Sequence, residues 1–311
     1  MARGGERARR EGGGSEGEEM SREIQEVTHA RLEPVIGGCP GLFTARSRRV
    51  GALDVMYHLG DATLRLSAVH RPRPVDLMVL VVLVALAGPA GRASDDGDRD
   101  RQLVAALALS AVDGVLIVET RVARVLHEMG LEDGGSGRAQ LRESLARLAG
   151  LTVIGRRGSR EASMHLLSYA VDDVSGALSV ALSPRLTAAI LGPRHIRLML
   201  SELRPIREHA RLLYVRICGW VDPGRTRAVR LSVLMGYLWP DPPTRQWEVR
   251  DRRRIVRRAM RELSQLYGWR VEADARGVQY RIARPGISPT PTGKTPTEAV
   301  KTPTLKSVIS L

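Results

Sequence analysis

Nine residues near the C-terminal end, "LSQLYGWRV" (263–271), match an earlier nine, "LARLAGLTV" (145–153), at Leu, Leu, Gly and Val. The sequence around the two matches is alike as well. Before the first, "VLIVETRVARVLHEMG" (115–130) reads as a short strand and then a helix burying Val122, Val125, Leu126 and Met129. The turn "LEDGGS" (131–136) follows, then a helix capped by Ser136 that buries Leu141, Leu145 and Leu148. After it, "LTVIGRRGSREASMHLLSY" (151–169) reads as two strands around a Gly-bearing, Arg-rich turn. The second copy offers "AVRLSVLMGYLW" (228–239) with Ser232 as a cap, the break "PDPPT" (240–244), an arginine-rich helix, and a hairpin around Arg276 and Gly277 in "WRVEADARGVQYRIARP" (269–285).

Helix, turn, helix and hairpin, twice over, is the order of a winged helix-turn-helix. The expected class is α+β: two tandem winged helix-turn-helix domains, mainly helical with small β-hairpin wings. Helices over Val75–Ala87 and Ser201–Val221 would lead the two units, and "GALSVALSPRLTAAILG" (176–192) would join them as a strand and a helix. The expected division is an unstructured extension over 1–30, a first domain over 31–174, a second over 175–285 and an unstructured Pro/Thr-rich tail over 286–311.

Outward from the second match runs the most charged stretch of the chain. Seven arginines and one acid stand between Arg250 and Arg261. At about 100° per residue, Arg250, Arg254, Arg257 and Arg261 fall within about 60° of one another, with Arg253 and Arg258 flanking them. Val256, Ala259, Leu263 and Leu266 gather opposite, as a buried face. A solvated helix surface is the usual reading of such a run. Those surfaces alternate sign through i, i+4 pairs, whereas here only Asp251 and Glu262 are at hand. The row therefore calls for an anion.

The whole chain agrees. Across 311 residues, 48 Lys and Arg against 34 Asp and Glu leave a formal charge of +14, which favours a polyanionic partner. In duplex DNA the second helix of each motif enters the major groove and the hairpin tracks phosphates. Arg250, Arg253, Arg254 and Arg257 are then the candidates for reading bases, and Arg261 and Arg276 for holding phosphate. The first copy contributes Arg138, Gln140 and Arg142 on its helix and Arg156, Arg157 and Arg160 on its hairpin. Arg147 reads equally as a surface charge.

Other chemistries lack their residues. Cys39 and Cys218 are the only cysteines, and the seven histidines form no HxH or HExxH, so no metal site and no cofactor is expected. The "GKT" at 293–295 lacks the earlier glycine of a phosphate-binding loop, because Ser288 stands there. No nuclease or ATPase, and no enzyme at all, is expected. The start has no apolar signal segment, and the apolar run Leu77–Ala87 is shorter than the ~20 residues that span a bilayer. It reads as a core helix, and the location as cytoplasmic without membrane contact. Cys39, Cys218, Trp220 and Trp239 read as core packing.

Several stretches resemble the RepC replication initiators of IncQ-type plasmids: "CPGLF" (39–43), "LDVMYHLGD" (53–61), "ALAGPAG" (85–91), "ARLLYVRICGWVDPG" (210–224), "GYLWP" (236–240) and the basic helix "RDRRRIVRRAMREL" (250–263). The resemblance covers roughly 36–285; residues 92–118 and both tails depart from it. It implies two winged-helix domains that bind directly repeated iterons in the double-stranded DNA of a plasmid origin. It also implies help in opening an AT-rich segment and recruitment of a replicative helicase and a primase, with self-association allowed for. The alternative expectation is a winged-helix transcriptional regulator bound at a promoter.

Overall fold

The computed structural model describes residues 27–44, 51–93, 97–107 and 114–286. In chain order the elements are β1 (His29–Leu32), α1 (Pro34–Gly38), β2 (Leu53–Leu59), β3 (Ala62–Ala68), α2 (Pro74–Ala90), β4 (Gly91–Ala93), α3 (Asp98–Ala105) and β5 (Leu116–Arg121). Then come α4 (Val122–Met129), α5 (Gly135–Ala149), β6 (Thr152–Arg157), β7 (Arg160–His165), β8 (Leu167–Val171), β9 (Ala177–Leu182), α6 (Pro184–Leu191) and β10 (Ile196–Met199). The last are α7 (Leu200–Leu203), α8 (Glu208–Cys218), β11 (Thr226–Arg230), α9 (Leu231–Leu238), α10 (Gln246–Ser264), β12 (Arg270–Ala273) and β13 (Gln279–Ala283).

The core is built on α2, where every residue from Leu77 to Ala87 is buried. A helix apolar all round needs cover on every side; β1, β5, α4, α5, α6 and α8 supply it. Around it one continuous cluster of buried side chains runs from Val27 to Ile282. Helices α4 and α5 bury the residues that their spacing selects, Val122, Val125, Leu126 and Met129 on one and Leu141, Leu145 and Leu148 on the other. Neither expected cap is used: α5 starts after Gly134 and α9 after Arg230, so Ser136 and Ser232 lie inside their helices. The helix expected over Ser201–Val221 is two, α7 and α8, parted at Pro205, which has no N–H to give to a helix.

Two tandem winged helix-turn-helix domains, mainly helical with small hairpin wings, are not what the chain forms. Strands take 28% of the described residues against 42% in helices, and they build four antiparallel sheets, which is too much sheet for a helical fold with small wings. The expected first wing, β6 and β7, is half of a four-stranded sheet ordered β2-β3-β6-β7. The hairpin of β2 and β3 turns at Gly60 (φ 64°), and β3 pairs antiparallel with β6, setting Leu66 against Val153. A second four-stranded sheet, β4-β5-β9-β8, takes in the short strand before α4 and the strand before α6. The alternation of Leu64, Leu66 and Ala68 with Arg65 and Ser67 is the local cause of β3.

The boundary expected at 174–175 falls in the turn between β8 and β9. The stretches expected to lack structure lie almost wholly outside the described residues; within the first of them Val27 and Ala30 are buried and His29 opens β1. Among the described residues no helix is long and apolar enough to cross a membrane.

Candidate nucleic-acid interface

Helix α10 is fixed from one side. Val256, Ala259, Met260 and Leu263 are buried, and the helix packs on α8, α9 and β12. Anchoring that face leaves Arg250, Arg253, Arg254, Arg257, Arg258 and Arg261 exposed. Arg252 is different: its guanidinium donates to the Asp241 carbonyl at 2.6 Å and lies 5.4 Å from the Trp239 ring centre, tying α10 to the loop after α9. At the start of the helix Glu248 accepts from the Thr244 N–H at 2.9 Å, which holds its carboxyl below the usual range.

Beside the helix the strands β11, β13 and β12 form the third large sheet, with β13 in the middle. Where β11 hands over to α9, a cleft of about 260 Å³ opens between sheet and helices, lined by Arg230, Leu231, Ser232, Met235, Arg253, Arg257, Val278 and Gln279. Three guanidiniums converge there with a hydroxyl and an amide, and no carboxylate is in the lining. The hairpin tip is shaped to leave room. Gly277 has φ 62°, and a Cβ on it would stand 3.4 Å from Nη2 of Arg257. Arg257 also lies against Tyr280, where its charge opposes the burial that pushes that phenol up. Asp274 closes the tip by accepting from the Val278 N–H at 2.7 Å and the Gln279 N–H at 3.1 Å, and these backbone donors, that of Gln279 foremost, hold its carboxyl low. Arg276 is exposed at that tip.

The first repeat is arranged otherwise. Arg138 is bound by both nitrogens to Asp133 at 2.6 and 2.8 Å, Arg142 pairs with Asp173, and Arg157 pairs with Asp61 at 2.8 Å. Gln140, Arg156 and Arg160 are exposed, and Glu161 stands opposite Arg156 across the hairpin. On α10 only Arg254 has such a partner among the described residues, Asp251 at 2.6 Å. The structure thus brings Arg253 and Arg257 together with Arg230, Ser232 and Gln279, three residues that the sequence did not select as contacts. Arg250 and Arg261 are on the same helix and Arg276 is at the hairpin tip, whereas the acid-paired arginines of the first repeat are on α5 and β6.

Among the described residues no group of three or more His, Cys, Asp or Glu could hold a metal ion. Cys39 and Cys218 are buried and form no disulfide, and burial pushes each thiol up to about 12.

Comparison with known proteins gives one sequence match and a shared fold. The family described as Replication protein C (RepC) matches residues 24–286. No curated protein matches the chain in sequence. Among solved structures, a selenomethionine crystal structure of domains 2 and 3 of RctB superposes with a TM-score of 0.54 at 15% identity, over 82% of this chain and 99% of that one. A second structure of RctB domains 2–3 gives 0.53 at 14% identity, over 81% and 96%. At such identities the likeness concerns the fold alone, and it is a fold with the sheets described above.

Proposed function

The chain belongs to the replication protein C (RepC) family, and from that premise we propose that it is a sequence-specific DNA-binding initiator of plasmid replication. It binds directly repeated iterons at the origin, assists opening of an AT-rich segment and recruits a replicative helicase and a primase, with no catalysis of its own. The observation that carries DNA binding is the convergence of Arg230, at the end of β11, with Arg253 and Arg257 of α10 on one cleft lined by no carboxylate, the opposite face of that helix being locked in the core.

The physics favours a duplex over a small anion. One cleft would serve a single phosphate, but Arg250, Arg258, Arg261 and Arg276 extend the charge along the helix and onto the hairpin, as an evenly charged backbone requires. The helix supplies side chains long enough to reach base edges from a groove that admits a helix. Iteron recognition is tested by footprinting the purified protein on the DNA flanking its own gene. Protection of an array of direct repeats is the expected result. Protection of a lone promoter palindrome would make it a transcriptional regulator instead. Metal-dependent nicking of that DNA, abolished by one substitution in this chain, would defeat the non-catalytic reading.

A further inference from the structure

The outer face of the ribbon formed by β1 and β10 carries two arginines that have no ion pair among the described residues. Its register sets Arg31 directly opposite Arg197, and His29 opposite Met199, while Ala30, Leu32, Ile196 and Leu198 alternate into the core. His195, two residues before Arg197, falls on the same side. Like charges directly opposite one another destabilise a strand pair, and among the described residues no acid pairs with either arginine. Glu33, which follows β1, turns inward to accept from the Ile36 N–H and from Arg185, each at 2.6 Å. Arg31 donates to the Ile190 carbonyl at 3.1 Å, Arg284 donates to the Arg197 carbonyl at 2.6 Å, and Nε of Arg197 is buried without a hydrogen-bond partner among the described residues.

We propose that this face, Arg31 and Arg197 between His29 and His195, is a second and sequence-independent contact for the phosphates of duplex DNA, on elements separate from α10. The proposal rests on the DNA-binding reading above. Successive outward residues on a strand are about 6.7 Å apart, so the ribbon sets two guanidiniums side by side with an imidazole one outward position away from each, a row whose charge grows as the imidazoles protonate. A repeating anion satisfies such a row better than a peptide with scattered acids. The two histidines add a sign. Burial first, and then Arg31 and Arg197, hold both below the usual histidine range; the Gly192 carbonyl beside His195 opposes the shift there, and Glu33 is committed elsewhere. A bound phosphate lifts their pKa values, so binding takes up protons and tightens as pH falls toward and below the ordinary histidine value of about 6.5.

The test uses the full chain, a labelled duplex of arbitrary sequence and a salt series. Arg31→Gln with Arg197→Gln should flatten the slope of log K against log salt by about 0.9 per arginine, weakening all sequences alike. The double Lys variant should keep the slope, which separates charge from folding. His29→Gln with His195→Gln should remove the tightening at low pH. An unchanged slope in the Gln variant, with Arg253→Ala and Arg257→Ala flattening it in the same assay, would overturn the ribbon contact and leave the face to another anion such as an acidic peptide. An unchanged slope in both sets would defeat the DNA-binding reading itself.

Discussion

Arg147 on α5 donates two hydrogen bonds, each 2.8 Å, to the carboxylate of Asp76, which is wholly buried at the start of α2. The same carboxylate accepts from the Arg73 N–H at 2.7 Å. Two helices of the first repeat are thereby locked by a charge pair at the end of the most apolar element in the chain.

Breaking that pair from one side leaves a buried charge alone, which costs about 3–5 kcal/mol. Arg147→Met should therefore lower the denaturation midpoint strongly. Replacing both partners with Arg147→Met and Asp76→Leu should cost less than the two single changes added together. Strictly additive losses would show that the pair does not couple the helices.

This pair also marks where sequence reading stopped. Arg147 sits at a helix position that reads as surface, because its partner is seventy-one residues away and nothing local announces it. Elements set by their own periodicity were legible: the buried faces of α4, α5 and α10, and the core helix α2. The sheets were not. The stretch "LDVMYHLGDATLRLSA" (53–68) carries an alternation from which a hairpin follows, but its pairing with β6, nearly ninety residues on, is settled by packing and appears in no local pattern. The candidate site divides in the same way. The α10 arginines were visible as a stripe, while Arg230 and Gln279 join them only through the β11 and β13 pairing, and the acids that neutralise Arg142 and Arg157 arrive from distant loops.

Arg216 on α8 is buried, and its Nη1 has no hydrogen-bond partner among the described residues. Burial pulls its guanidinium down to about 10; the groups nearest in charge are Cys39, Tyr57 and Tyr237, whose own pKa values burial raises. None of them is an anion near neutral pH. Arg216→Met nearly keeps the volume and removes a buried charge that has no acid partner among the described residues, so it should raise stability. A lower midpoint in urea would show that the guanidinium has a stabilising role.

His209 begins the first turn of α8 beside Trp239, ring centres 5.9 Å apart, and burial holds it below the usual histidine range. Glu208, Glu262 and Asp251 oppose that shift and Arg258 adds to it. The sign follows from the unfolded chain binding its proton first. The contribution of this group is complete above the unfolded value of about 6.5 and is lost as pH falls toward the lower folded value. Melting temperature should drop over that window, and His209→Phe should shrink the drop. An equal drop in the variant would assign it to other groups.

The arginines of the two repeats should separate in one assay, because a phosphate contact is worth only what remains after a cation leaves its own acid. On α10, Arg253 and Arg257 have no ion pair among the described residues. Each replaced by Ala should flatten the salt slope by about 0.9 if it holds phosphate. If it reads guanine, the cost is about 1–3 kcal/mol on the cognate repeat and little on random DNA. Arg138, Arg142 and Arg157 must first break from Asp133, Asp173 and Asp61. Removing them frees an acid close to the DNA or leaves the pairing surface unused, so their Ala variants should move the slope by clearly less than 0.9 each. Replacing Asp133 or Asp61 by Asn should do the reverse and tighten binding to every sequence. If the first-repeat arginines instead flatten the slope as fully as Arg253 and Arg257, their ion pairs open at no cost on DNA and the two repeats contact the duplex alike. If none of the arginines moves either affinity or slope, the stripe from Arg250 to Arg261 is a solvated helix surface.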